Sequence, residues 1–240
     1  MRQVPYYLLV GDGRVSRHFQ HYFSLLSLDF HVWHRRQPIA RLHHLLPVVN
    51  RILVLISDDE IDPFITQHLS TASSIIIHCS GSLESKHAFG AHPLMTFGEA
   101  MYSLHQYMSI PFIIDSDAPS IAELFPGLSN PCVHLAVEHK SRYHALCVLA
   151  GNFSCLLWQK LFADFNSKLA IAPSMAHPYL KQCMQNILAN PKTALTGPLV
   201  RGDQQTILAN LAALQGDPIQ EVYQSFVNWY QQTHSMKEIP

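Results

Sequence analysis

Four short apolar runs, residues 6–10, 30–33, 52–56 and 74–78, alternate with stretches of helical periodicity over the first third of the chain. Strand, helix, strand, helix is the order that builds a parallel sheet, because parallel neighbours need a crossover between them. The runs are apolar almost throughout rather than at every second residue, as strands covered on both faces are. Residues 16–26, 39–49 and 59–69 are the expected crossover helices, the second with Pro38 at its start and Pro47 inside it. Glycine and proline then punctuate residues 80–131, with last strands read at 112–114 and 133–137. Residues 141–165 lack proline and repeat large apolar side chains at three- and four-residue steps. That predicts a long helix whose apolar stripe needs a partner. Residues 178–189, 204–214 and 218–231 read as further helices. The expected class is α/β, a doubly wound, mostly parallel sheet over 1–137 followed by an all-α domain over 138–240.

Composition narrows the function classes. Of 240 residues, 48% are hydrophobic and 14% charged, which excludes a disordered chain. Sixteen Lys and Arg against 17 Asp and Glu give a net charge of −1, so the global field that nucleic-acid binding relies on is missing. No uninterrupted apolar run approaches the roughly 18–20 residues that cross a bilayer, and no membrane partner is expected. The opening residues lack a small-residue cleavage site. The five cysteines are odd in number without CxxC spacing, which reads as a cytoplasmic protein with reduced thiols. Histidine is abundant, 16 in all, yet no HExxH or zinc-finger spacing occurs, and no metal site is expected.

Gly11, Asp12, Gly13, Arg14, Val15 and Ser16 follow the first apolar run and open a helix, the context a dinucleotide fingerprint requires. The first glycine permits the tight turn, and the second lets a pyrophosphate approach the backbone at the helix N-terminus. Ser16 holds the third glycine position and is small enough for close packing. About twenty residues on, where an NAD-binding chain places an acid on the ribose 2′-hydroxyl, this one has His34, Arg35 and Arg36. Two guanidiniums there suit a 2′-phosphate, so NADP is the expected cofactor.

With these motifs the chain resembles proteins that join an NADP-binding Rossmann-like domain to a C-terminal helical domain of unknown function. They fall within the superfamily of 6-phosphogluconate dehydrogenase, 3-hydroxyisobutyrate dehydrogenase, ketopantoate reductase and pyrroline-5-carboxylate reductase. The resemblance spans almost the whole chain. It is carried by Gly11 to Ser16, by Ser57-Asp58-Asp59-Glu60-Ile61, by His78-Cys79-Ser80-Gly81-Ser82 and by His92-Pro93-Leu94. Further along it is carried by Tyr143-His144-Ala145 with Asn152, and by Leu195-Thr196-Gly197-Pro198 with Arg201-Gly202-Asp203. It implies a dinucleotide along the strand C-termini, with Ser57 and Asp58 near the nicotinamide and Ser80 and Gly81 below it. It also implies a homodimer through the helical domain.

His144, Val148 and Asn152 are spaced i, i+4, i+8, along one helix face about 12 Å from end to end. The resemblance implies a lysine at the middle position, and this chain has Val148 instead. His92 and His144 are therefore the candidates for proton transfer, imidazole being poised near neutral pH, with Asn152 orienting the substrate. Arg201 is the candidate for an anionic substrate group, and Asp203 suits a helix N-cap. The expected activity is hydride transfer between NADP and a small anionic carbonyl or imine compound, or the corresponding alcohol or amine. The alternative is an NADP(H)-binding sensor or scaffold without turnover, which Val148 favours.

Overall fold

The structure, a computed structural model, describes residues 6–235. The opening segment and the outer ends of both expected domains lie outside that range. Strands β1 (Tyr6–Val10), β2 (Asp29–Trp33), β3 (Arg51–Val54), β4 (Ile75–His78), β5 (Phe89–Pro93), β6 (Phe112–Asp115) and β7 (Cys132–Leu135) form one seven-stranded sheet. Its order is β2-β1-β3-β4-β5-β6-β7. The first five strands are parallel, β6 pairs antiparallel with β5, and β7 runs parallel to β6. This is the Rossmann-like α/β architecture that the alternating runs predict.

Neighbouring residues of one strand feed two different cores, which is why these strands are apolar throughout. Tyr7, Leu9 and Leu53 join one cluster, while Leu8, Val10, Ile52 and Val54 join the other. On the first face pack α1 (Arg14–Leu25), α4 (Leu104–Met108) and α5 (Ile121–Leu124), through Phe19, Tyr22, Phe23, Tyr107 and Leu124. On the second pack α2 (Ile39–Leu45) and α3 (Asp58–Phe64), through Leu42, Leu45 and Ile61. Leu8, Leu9, Ile52 and Leu53 are fully buried, each worth about 1.5–3 kcal/mol of transfer free energy.

Proline shapes the departures from the expected helices. Pro47 turns the end of the expected 39–49 helix into a 3₁₀ turn, Leu46–Val48. Inside α3, Pro63 lacks the N–H for the helical ladder, and the chain continues as a wide π turn over Ile65–Leu69. Strand β5 was not expected, because Gly90 and Pro93 make its sequence read as loop. Gly90 is there for space, since a Cβ would meet the Asp115 carboxylate and the Lys140 ammonium at 2.5 and 2.6 Å.

The long helix is α6 (Lys140–Cys147), a π segment (Val148–Phe153) and α7 (Ser154–Ser167) rather than one regular rod. The stretch Val137–Ser167 contains an 18-residue window of mean hydropathy 1.4, long and apolar enough by those measures to cross a bilayer. Its apolar run is not uninterrupted, since Asn152, Gln159 and Lys160 lie within it. Its first turns are engaged with the sheet: Lys140 Nζ lies 2.7 Å from Asp115 Oδ1, and both side chains are buried.

The chain forms two compact units, Met1–Leu157 and Trp158–Pro240. The last strand ends at Leu135, and helices follow. The second unit comprises most of α7 with α8 (His177–Ala189), α9 (Pro198–Arg201), α10 (Gln204–Ala213) and α11 (Ile219–Ser235). Trp158 packs edge-on against Tyr179, and Lys160 bridges Asp164 and Asp217 at 2.5 and 2.6 Å. Asp203 caps α10 as expected, accepting the Thr206 N–H at 3.0 Å.

Candidate active site

The β1 end lies where the sheet order reverses, between β2 on one side and β3 on the other, and ligands of open α/β sheets collect at such a point. Gly11 leaves the strand with φ +119°, its N–H donating to the Trp33 carbonyl at 2.8 Å. A Cβ on Gly11 would stand 2.4 Å from the Leu55 carbonyl oxygen, so no other residue fits. Nothing lies within 4 Å of a Cβ built on Gly13, the N-cap of α1. That cap makes no side-chain hydrogen bond, and the first turn carries no acid. The first N–H groups of a twelve-residue helix thus face an open approach, the arrangement that accepts a phosphate. Ser16 is fully buried and donates its hydroxyl to the Gly11 carbonyl at 2.7 Å, closing the turn from below.

Of the residues expected at a 2′-phosphate, Arg35 and Arg36 are exposed, and Arg36 is paired with Asp12 of the glycine loop. His34 is half-buried, and its shielded Nδ1 makes no hydrogen bond. The loop acid therefore links the two halves of the expected cofactor site.

A second group gathers past the ends of β4 and β5. Ser57 holds the N-cap position of α3 without a side-chain capping bond, and Asp58 in its first turn accepts the Ser80 hydroxyl. Ser80 Oγ in turn accepts the Leu83 N–H at 3.0 Å. Gly81 is again a matter of space: a Cβ would meet the rings of His144 at 2.5 Å and His92 at 3.2 Å. Those two imidazoles stand perpendicular, centroids 5.9 Å apart, and His92 Nδ1 is hydrogen-bonded to the Tyr143 hydroxyl at 2.7 Å. Burial, reinforced by His144, pushes the His92 pKa down to about 4. His92 is neutral at pH 7, not poised near it.

An open cleft of about 870 Å³ in the first unit has Arg14, His92, Tyr143, His144, Val148 and Asn152 in its wall. It joins the first turn of α1, after the glycine loop, to His92, His144 and Asn152, the residues expected to handle the proton and orient the substrate. The π segment widens the turn between Val148 and Asn152, so their shared side is not the regular i, i+4 stripe that spacing predicts. Arg201 is exposed on α9 of the second unit. Two features were missed in the sequence. Tyr143 stands beside His144 with no signal of its own for a role, and the buried Lys140–Asp115 pair joins β6 to α6 across the fold, which no local pattern announces.

These features define a Rossmann-like protein with a dinucleotide-type loop opening onto a cleft. Residues 110–228 match the family described as Domain of unknown function (DUF2520). No curated protein matches the chain in sequence. Among solved structures it is similar to a provisionally assigned NADP oxidoreductase from Bacteroides fragilis, at TM-score 0.75 and 18% identity over 95% of this chain and 98% of that one. It is similar to a reductive aminase from Aspergillus terreus in complex with NADPH and ethyl-5-oxohexanoate, at TM-score 0.60 and 14% identity, covering 96% and 93%. A Plasmodium falciparum pyrroline carboxylate reductase with NADP bound superimposes at TM-score 0.53 and 12% identity, covering 95% and 97%. At these identities the likeness establishes a shared fold.

Proposed function

We propose that the protein is an NADP(H)-dependent oxidoreductase acting on a small carbonyl or imine compound, or on the corresponding alcohol or amine. The observation that carries this reading is the single cleft joining Arg14 and Val15 to His92, His144 and Asn152. The uncapped start of α1 fits a pyrophosphate against Gly11 to Ser16. Arg35, Arg36 and His34 fit a 2′-phosphate, and Ser57, Asp58, Ser80 and Gly81 stand toward the nicotinamide. The NADPH and NADP named with the Aspergillus and Plasmodium structures support the same cofactor. When bound, it supplies or accepts the hydride.

The chain's own part is positioning and proton handling. In the cleft wall Tyr143 and His92 are hydrogen-bonded and the His144 ring packs edge-on against His92, with His92 neutral and so able to accept or donate through Nδ1. Asn152 offers an amide to orient the substrate. The exposed apolar side chains of the long helix, Leu146, Leu149, Phe153 and Leu156 among them, support a homodimer as their cover. His144→Ala and Asn152→Ala should each lower turnover about 100-fold or more while NADPH affinity changes little. Unchanged turnover in both variants would remove these residues from the chemistry. Cofactor binding with no turnover on any carbonyl, imine, alcohol or amine would favour the sensor reading that Val148 suggests.

A further inference from the structure

The wall of the cleft does not suit an anionic substrate. Among its described lining residues Arg14 is the one permanent charge, and it stands at the first position of α1, its Nη1 donating to the Phe97 carbonyl at 3.4 Å. Its backbone opens α1 just after the glycine loop, and its guanidinium rests on that carbonyl at the Phe97 edge of the cleft. No lysine and no acid joins it in the lining. Lys140, one turn before His144, is buried against Asp115 at 2.7 Å and cannot serve as a counter-charge. Asp58 takes the Ser80 hydroxyl. His92 is held uncharged by burial and bonded to Tyr143.

What remains is apolar surface around a few neutral donors. Leu94, Met95 and Phe97 form one side and Leu146 and Val148 another. Apart from Arg14 at the Phe97 edge, a carboxylate or phosphate desolvated there would find no permanent partner charge, and an unpaired ion in such surroundings is strongly disfavoured. A carbonyl oxygen needs only one or two donors, and the Tyr143 hydroxyl and the Asn152 amide provide them. A volume of about 870 Å³ has room for the end of a dinucleotide and a compact substrate together.

We propose that this cleft takes an uncharged carbonyl compound with an apolar body, a ketone or aldehyde or the alcohol it becomes, and discriminates against carboxylate- and phosphate-bearing analogues. The proposal rests on the oxidoreductase reading and replaces the anionic substrate expected from Arg201. In the reductive direction the carbonyl carbon gains a hydride from dihydronicotinamide, and the carbon–oxygen π pair moves onto oxygen. That oxygen takes a proton from the Tyr143, His92 and His144 group, which regains one from solvent. One NADPH and one proton are consumed, and NADP⁺ and an alcohol leave.

The test uses the full-length chain and size-matched pairs, cyclohexanone with its 4-carboxylate and heptan-2-one with 6-oxoheptanoate. NADPH binding is titrated first. NADPH consumption with each compound then gives kcat/KM, and calorimetry of each compound in the presence of NADP⁺ gives affinity without turnover. The neutral member of each pair should be favoured by about tenfold or more in at least one assay, and Met95→Lys or Val148→Lys should erase or invert that preference. Equal treatment of both members, or preference for the carboxylate, overturns the proposal while leaving the cofactor reading intact. Failure to bind NADPH is a different result and removes the oxidoreductase reading itself.

Discussion

His78 is buried and His92 half-buried, and desolvation lowers both imidazole pKa values from the usual 6.5 to about 4. The unfolded chain therefore takes up protons at these positions before the folded chain does. Their contribution to stability is full above about pH 6.5, is lost as pH falls from there to about 4, and changes no further below. Each should account for on the order of 3 kcal/mol across that window. Urea unfolding at stepwise pH should show the loss, and a His78→Asn, His92→Gln variant should show a shallower one. A stability that stays flat between pH 6.5 and 4.5 would contradict the burial of these rings.

The Lys140–Asp115 pair acts at the same scale. Asp115 also accepts the Gly90 N–H at 2.7 Å, so Lys140→Met should strand a buried carboxylate and cost about 3–5 kcal/mol. Adding Asp115→Asn removes the charge while keeping an acceptor for Gly90, and should recover much of the loss. A cost below about 1 kcal/mol in chemical denaturation would show the pair to be solvated.

At the scale of elements, the sequence was most legible where local pattern and tertiary role agree. β1 begins and ends where its apolar run does, and α1 follows the glycine loop as the motif requires. Legibility failed where a residue is chosen for a distant neighbour. Gly90 makes room for an ion pair brought from β6 and α6, so β5 read as loop. The π segment was hidden because its residues satisfy helical periodicity equally well. At the site, His92, His144 and Asn152 could be named as candidates, whereas the hydrogen bond between Tyr143 and His92 joins residues 51 apart in the chain and has no local signal. The long helix carries its own prediction. Leu149 and Leu156 are 55% and 58% exposed, apolar surface that a second copy of the chain would cover. A Leu149→Glu, Leu156→Glu variant should sediment as a monomer where the parent chain sediments as a dimer. A parent chain already monomeric at micromolar concentration would refute that cover.

For the whole molecule, the proposed function puts a dinucleotide at the reversal point of the sheet, beside a cleft whose lining is mostly apolar. Asp12 and Arg36 connect the glycine loop to the end of β2, so the two halves of the proposed cofactor site are linked by an ion pair. The most direct measurement is a paired titration of the purified protein with NADPH and NADH, followed by nicotinamide fluorescence, with Arg35→Ala and Arg36→Ala alongside. NADPH should bind more tightly than NADH, and each substitution should weaken NADPH about tenfold or more while leaving NADH nearly unchanged. Absence of binding by either nucleotide would contradict the account.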